Sequence, residues 1–202
     1  MRTLSLVVVA LALVVPSAQA QSLRGVGVQV GHVESKQIVT NGDDSGTRSG
    51  LMGGLFIDVQ TPAPLLSVLA EASFVQRGGT FTTADPSTGG DVEADYLTFT
   101  VAPELHVDIG PAGAFAYAGP TAEASVRTRY APALAAAYQN PASLALAATA
   151  GGGVELRLLQ GWAFRLEARV VEGLSAAFTG DAGEFKHRSS EFLVRVGRRG
   201  GP

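Results

Sequence analysis

Three histidines, His32, His106 and His187, are the side chains of this 202-residue chain best suited to moving protons near neutral pH. They fall in separate segments, and no H-x-x-x-H or carboxylate spacing makes any of them part of a metal site. His106 with Ser73 or Glu71 is the best set from which a lipid hydrolase could be built, since such chemistry needs a serine or acid beside a histidine. The simpler reading of His106 is a polar residue hydrogen-bonded inside a folded wall, and that reading is preferred. Gly151-Gly152-Gly153 is no phosphate cradle, because no helix follows it. It reads as room for a strand to curve or for a large neighbour such as an arginine. Asp43, Asp44, Asp85 and Asp91 lie in polar connectors, where a divalent cation could meet them but where solvation is the ordinary state. No catalytic, cofactor-binding or metal-ligating residue is assigned, and no enzymatic activity is expected.

What recurs is charge of both signs on one face of alternating segments. From Glu93 to Ile109, Leu97, Phe99, Val101, Leu105, Val107 and Ile109 share one parity, against Tyr96, Thr98, Thr100, Glu104, His106 and Asp108. A period of two is that of a strand with one oily and one polar face. Trp162 to Val171 repeats it, with Trp162, Phe164, Leu166, Ala168 and Val170 opposing Arg165, Glu167 and Arg169. Leu51 to Val59 and Leu144 to Leu158 alternate as well, while Leu23 to Glu34, Leu65 to Arg77, Gly113 to Tyr130 and Glu191 to Arg198 do so less tidily. In the fifth segment Phe115 and Tyr117 share parity with Glu123 and Arg127, which predicts a bulge or aromatic residues filling one end of the interior. The polar parity collects Glu71, Glu104, Glu123, Glu155, Arg157, Arg165, Glu167, Arg169 and Arg195. Arginine and glutamate in mixed array suit a desolvated, mutually paired interior, where an unpaired charge costs several kcal/mol.

The connectors between these eight segments alternate in length. Thr61-Pro62-Ala63-Pro64, Gly110-Pro111-Ala112-Gly113 and Gln160-Gly161 are tight turns, whereas Ser35 to Arg48, Gly78 to Asp91, Ala131 to Ala142 and Ala176 to Ser189 are long loops. This rhythm predicts an all-β, eight-stranded antiparallel up-and-down transmembrane β-barrel with short turns on the periplasmic side. An interior of that size is filled by side chains, which disfavours an open pore. Tyr96, Tyr130, Trp162, Phe164 and Phe192 lie near segment ends, where an interfacial aromatic belt would sit. The competing architecture is a soluble periplasmic barrel with its oily face inside around an apolar ligand. The arginine-rich rather than lysine-rich polar face argues against it.

Residues 1–20 read as a cleaved signal peptide: Arg2, an apolar run from Leu4 to Val15, Pro16, and the small-residue site Ala18-Gln19-Ala20. The run is too short to span a bilayer as a helix. The mature barrel domain is then residues 21–202. The formal net charge of −3 gives no basic patch for nucleic acid, and the lack of cysteine excludes disulfides and thiolate metal sites. The expected location is the bacterial outer membrane. The expected partners are its lipid, the barrel assembly machinery, and an extracellular or envelope protein met through the long loops, with a structural or recognition role.

Three strand motifs carry a family resemblance. Ala70-Glu71-Ala72-Ser73-Phe74-Val75-Gln76-Arg77-Gly78, then Asp95-Tyr96-Leu97-Thr98-Phe99-Thr100-Val101-Ala102-Pro103, then Ala116-Tyr117-Ala118-Gly119-Pro120 resemble the outer membrane β-barrel domain family. That family includes PorT-like proteins and small OmpA- or OmpX-like barrels. The resemblance implies an eight-stranded outer-membrane barrel and supplies no catalytic residues. Two departures stand out: Pro103 falls later than the family proline, and the last strand runs into Arg198-Arg199-Gly200-Gly201-Pro202 rather than a final aromatic residue. Pro103 and Pro120 each remove a ladder hydrogen bond, so a bulge or strand end is expected near each.

Overall fold

The computed structural model describes residues 23–39, 45–81, 89–134, 140–158, 161–180 and 183–200. Residues 1–20, which carry the predicted signal peptide, lie outside the described residues, as do Asp43, Asp44 and Asp85. Eight long strands run antiparallel: β1 (Leu23–Val39), β2 (Arg48–Gln60), β3 (Leu66–Phe81), β4 (Gly90–Ile109), β5 (Ala112–Tyr130), β7 (Leu144–Arg157), β8 (Trp162–Gly173) and β10 (Gly183–Arg199). Two short strands, β6 (Asn140–Pro141) and β9 (Phe178–Gly180), and a 3-10 turn at Pro132–Leu134 sit in the connections between them. Each long strand pairs with its neighbour in sequence, and β1 closes the barrel on β10 from Gly25↔Arg199 to Val39↔Phe185.

The alternation places oil outside and charge inside. Val30, Leu55, Leu166, Val170 and Phe192 point outward and are exposed, whereas Glu104, Glu123, Glu191 and Arg195 are buried completely. That is the reverse of a soluble barrel built around an apolar ligand, and it overturns that alternative. The tight turns follow local chemistry. Gly110, at the first central position of the β4–β5 hairpin, has φ 59°, the left-handed conformation a type II′ turn requires there. In the β2–β3 turn the Gln60 amide donates to the carbonyls of Ala63 and Leu66 at 3.2 and 3.1 Å.

Three features differ from the sequence reading. Strand pairing continues into segments expected to be loops, reaching Phe81↔Gly90 between β3 and β4 and starting at Gly183 in β10. Beyond the apolar band the outward face turns polar while Val92, Ala94 and Phe185 turn inward, so the oily-outside alternation is lost although the backbone ladder persists. Pro103 and Pro120 lie inside strands rather than at ends or bulges. Both fall at one interruption of the β4–β5 ladder, between Thr100↔Thr121 and Glu104↔Tyr117, while Pro103↔Val68 and Pro120↔Ala148 hold on their other sides. The bulge in β5 sits instead at Val126, where the register passes from Tyr96↔Ser125 to Asp95↔Arg127. That extra residue explains why Arg127 shares parity with Phe115 yet faces outward beside Asp95, while Phe115 and Tyr117 fill the interior.

Candidate functional site

The interior is a stack of ion pairs in three levels. At the short-turn end Arg165, on β8, donates to three carboxylates from three other strands: Nε to Glu155 at 2.7 Å, Nη1 to Glu104 at 3.2 Å and Nη2 to Asp58 at 2.9 Å. Its guanidinium lies 4.8 Å from the centroid of the Phe115 ring, a cation–π contact in a desolvated setting. Arg24 approaches Asp58 at 3.4 Å and Asp108 at 3.5 Å, and Arg157 pairs with Asp108 and, at 3.4 Å, with Glu155. Arg199 reaches Glu155 at 3.2 Å. The crevice left among Arg24, Phe56, Glu155, Arg165 and Arg199 amounts to about 10 Å³, the room of roughly one water.

The middle level joins two arginines to three glutamates. Arg169 donates Nη1 to Glu71 and Nε to Glu191, each at 2.7 Å. Arg195 pairs with Glu71 and, at 2.6 Å, with Glu167, whose other oxygen accepts the Tyr117 hydroxyl at 2.6 Å. The Tyr117 ring lies against Gly151, where an added Cβ would come within 3.0 Å of the ring and 2.7 Å of Arg169 Cβ. The glycine run thus makes room for a large interior neighbour. Gly151→Ala should destabilise the fold by about 1–3 kcal/mol through overpacking, read as a shift in the urea midpoint of the folded band on a gel. Unchanged stability would mean that Tyr117 repacks freely.

The level nearest the long loops centres on Arg77. It pairs with Glu123 and donates Nη2 to Glu191 at 2.8 Å, so Glu191 ties this level to the middle one. His187 Nε2 lies 2.9 Å from Glu123, and Ser189 donates to Glu191 at 3.0 Å. Tyr96 packs between Arg77 and His187, with centroid distances of 6.0 and 5.8 Å. Above it Val92, Ala94, Ala177, Phe178 and Phe185 form a buried apolar cluster with Tyr96.

All nine predicted interior charges, Glu71, Glu104, Glu123, Glu155, Arg157, Arg165, Glu167, Arg169 and Arg195, point into this stack. Sequence reasoning missed Arg24, Asp58, Arg77, His187 and Glu191 as members. Asp58 already stood on the polar parity of β2. Arg77 and Glu191 stood at the ends of strands drawn too short, and Arg24 turns inward at an irregularity between Leu23 and Gly25. The aromatic belt needs two corrections. Trp162, Phe164 and Phe192 face outward, but Tyr96 is 2% exposed and belongs to the interior, because it shares parity with Thr98 and Thr100, and Tyr130, directly across from the buried Val92, stands on the inward face at the long-loop end, where it is 40% exposed.

No triad forms around His106. Ser73 lies across from Thr98, eight residues along β4 from His106, which is about 26 Å at strand rise, and Ser73 accepts from Gln29 at 2.7 Å. Glu71 is engaged by Arg169 and Arg195. His32 faces outward, 3.8 Å from Glu34, and Asp91 accepts from Thr80 at 2.8 Å. Among the described residues no group of three or more His, Cys, Asp or Glu side chains is placed to hold a metal ion.

With this geometry in place, the comparisons with known proteins are specific about architecture. The family model described as outer membrane protein beta-barrel domain matches residues 4–199. Neisserial surface protein A is similar in structure, at 10% identity and a TM-score of 0.54, over 86% of this chain and 96% of that one. Ail, the attachment invasion locus protein of Yersinia pestis, aligns at 11% identity and a TM-score of 0.43, over 87% of this chain and 98% of that one. A comparison with curated proteins finds no match.

Proposed function

The chain belongs to the outer membrane protein beta-barrel domain family, and from that premise we propose that it is a closed barrel of the bacterial outer membrane, structural in its wall and recognitive through its long loops. No reaction is assigned to its interior. The observation that carries closure is the stack from Arg165, across the Phe56 ring to Arg195 and Arg169, and through Glu191 to Arg77, topped by the apolar cluster around Phe178 and Phe185. An eight-stranded wall leaves space only for side chains, and these side chains occupy it. Short turns belong on the periplasmic side of such barrels, which directs the connections following β1, β3, β5 and β8 outward. Residues 1–20 serve in this reading as the export signal. Membrane lipid, the assembly machinery and an extracellular or envelope protein are the partners, and nucleic acid is not one.

Planar-bilayer recording of the refolded barrel tests closure. Little or rare conductance is expected, and a steady ohmic conductance insensitive to Arg165 or Arg169 substitutions would replace the plug with a small channel. Loop orientation has its own test. Removing about three residues between Phe81 and Gly90 should leave folding intact, since closure entropy changes slowly with loop length, and protease added to intact cells should cut there. Cleavage at the Thr61–Leu65 turn instead would invert the orientation.

A further inference from the structure

Among the inward-facing arginines at the short-turn end, Arg24 and Arg199 are held least tightly. Asp58, Glu104 and Glu155 give their short contacts to Arg165, at 2.9, 3.2 and 2.7 Å, and Asp108 goes to Arg157. What remains for Arg24 is Asp58 at 3.4 Å and Asp108 at 3.5 Å, and for Arg199 it is Glu155 at 3.2 Å. Arg24 is 7% exposed, and its Nε and Nη1 are buried without a hydrogen-bond partner. It also stands within reach of the like charges of Arg199 and Arg165. Formal charge cancels over the level as a whole, with Arg24, Arg157, Arg165 and Arg199 against Asp58, Glu104, Asp108 and Glu155. The imbalance is local. Three arginines, Arg24, Arg165 and Arg199, line the small crevice beside Phe56, and Glu155 is the one carboxylate there. Both Glu155 oxygens are already engaged, by Arg157, Arg165 and Arg199. The backbone leaves room at this point. Gly25, paired with Arg199, also lines the crevice, and a Cβ on it would meet nothing closer than the Arg198 carbonyl oxygen at 3.6 Å. At Gly197, by contrast, a Cβ would lie 2.6 Å from the Val26 carbonyl oxygen.

We propose that this crevice binds a single chloride ion, held between Arg24 and Arg199 and taken from the solution at the short-turn mouth. Size selects a monatomic ion: the crevice has the room of about one water, which excludes phosphate, sulfate and carboxylate-bearing molecules. The donor set selects an anion over a water. Chloride only accepts, and guanidinium N–H groups only donate, whereas a water would also have to donate and the one carboxylate on the lining has its oxygens engaged. Electrostatics supplies the gain. Like charges in a desolvated interior repel with little screening, so one anion between two guanidiniums offsets that repulsion and satisfies N–H groups whose burial is otherwise costly. Entry needs no opening of the wall, because the Arg157 and Asp108 side chains beside the crevice are 26% and 38% exposed. Occupancy would tie the stability of the barrel to the salt on its short-turn side.

Urea titration of the refolded barrel at one fixed sodium concentration, with fluoride exchanged stepwise for chloride, tests the site. The midpoint should rise with chloride and level off, as a single site on the folded state requires. A general salt effect favours the more strongly hydrated fluoride and does not saturate. Gly25→Ala, which puts a methyl group into the crevice and changes no charge, should lose the chloride response. Arg199→Gln should lose it as well, while Arg188→Gln, on the outer face at the opposite end beside Glu172, should keep it. The readout is the difference between salts within each protein, so a variant with a lower fluoride midpoint still reports on the site. Crystals grown in sodium bromide should show an anomalous difference peak between Arg24 and Arg199. No saturating response in wild type, a response retained in Gly25→Ala or in Arg199→Gln, or a bromide structure without a peak in this crevice would overturn the proposal.

Discussion

Arg165→Met should cost the barrel about 3–5 kcal/mol and leave much of the protein without its compact, heat-modifiable form. Asp58, Glu104 and Glu155 all converge on this one guanidinium, at 2.9, 3.2 and 2.7 Å. Removing it strands several carboxylates in a desolvated interior, which costs more than the pairs themselves contribute. Arg165→Lys should rescue only part of the loss, because a point charge cannot serve three carboxylates in the way a planar fork does. Adding Glu104→Gln to Arg165→Met should recover stability, since the two changes together leave fewer charges uncompensated. Urea titration of the folded band in each protein measures this. A double variant as unstable as the two single losses combined would mean that the network does not act as a unit.

On the opposite face of the same strand, Leu166→Arg should destabilise the barrel by about 2–4 kcal/mol or block its insertion. Leu166 is 49% exposed and surrounded by Val154 and Val194, so a charge there has no partner and faces hydrocarbon. Thr100→Arg should fail for a different reason. Thr100 sits in an interior hydroxyl chain, 2.8 Å from Thr121, which is itself 2.6 Å from Thr149, and a long side chain would crowd it. Folding yields into thin and thick bilayers separate the two causes, because only the outward charge responds to hydrocarbon thickness. Equal tolerance of arginine on both faces would remove the lipid-facing assignment.

The parity of β4 and β8 was legible because each strand crosses an apolar band that forces strict alternation, and that sufficed to place Glu104, Arg165, Glu167 and Arg169 inside. The connectors were legible where turn chemistry is local, as at Gly110-Pro111. Legibility failed where a register depends on a neighbour. The bulge at Val126 and the inward turn of Arg24 are events between two strands, and neither chain segment states them alone. Tyr96 shows the limit of position as a guide: nearness to a segment end suggested an interfacial ring, while its parity placed it beside Arg77 and His187. Strand ends were misjudged for a related reason, since Ser35, Gln37 and Gly79 extend the ladder through residues with no apolar face to betray it.

The two prolines that share one gap in the β4–β5 ladder give the wall an uneven seam. Placed in separate ladders, they would have loosened two joints; facing the same gap, they spare the pairings of Pro103 with Val68 and of Pro120 with Ala148. Seven of the eight joints around the barrel therefore keep their mid-height bonding as far as these prolines are concerned, and one joint absorbs both losses. Sideways tension on such a cylinder concentrates along that line, held above by Thr100↔Thr121 and below by Glu104↔Tyr117. The barrel is a hoop with a single chosen tear line, set apart from the joint between its first and last strands where the ring was originally closed.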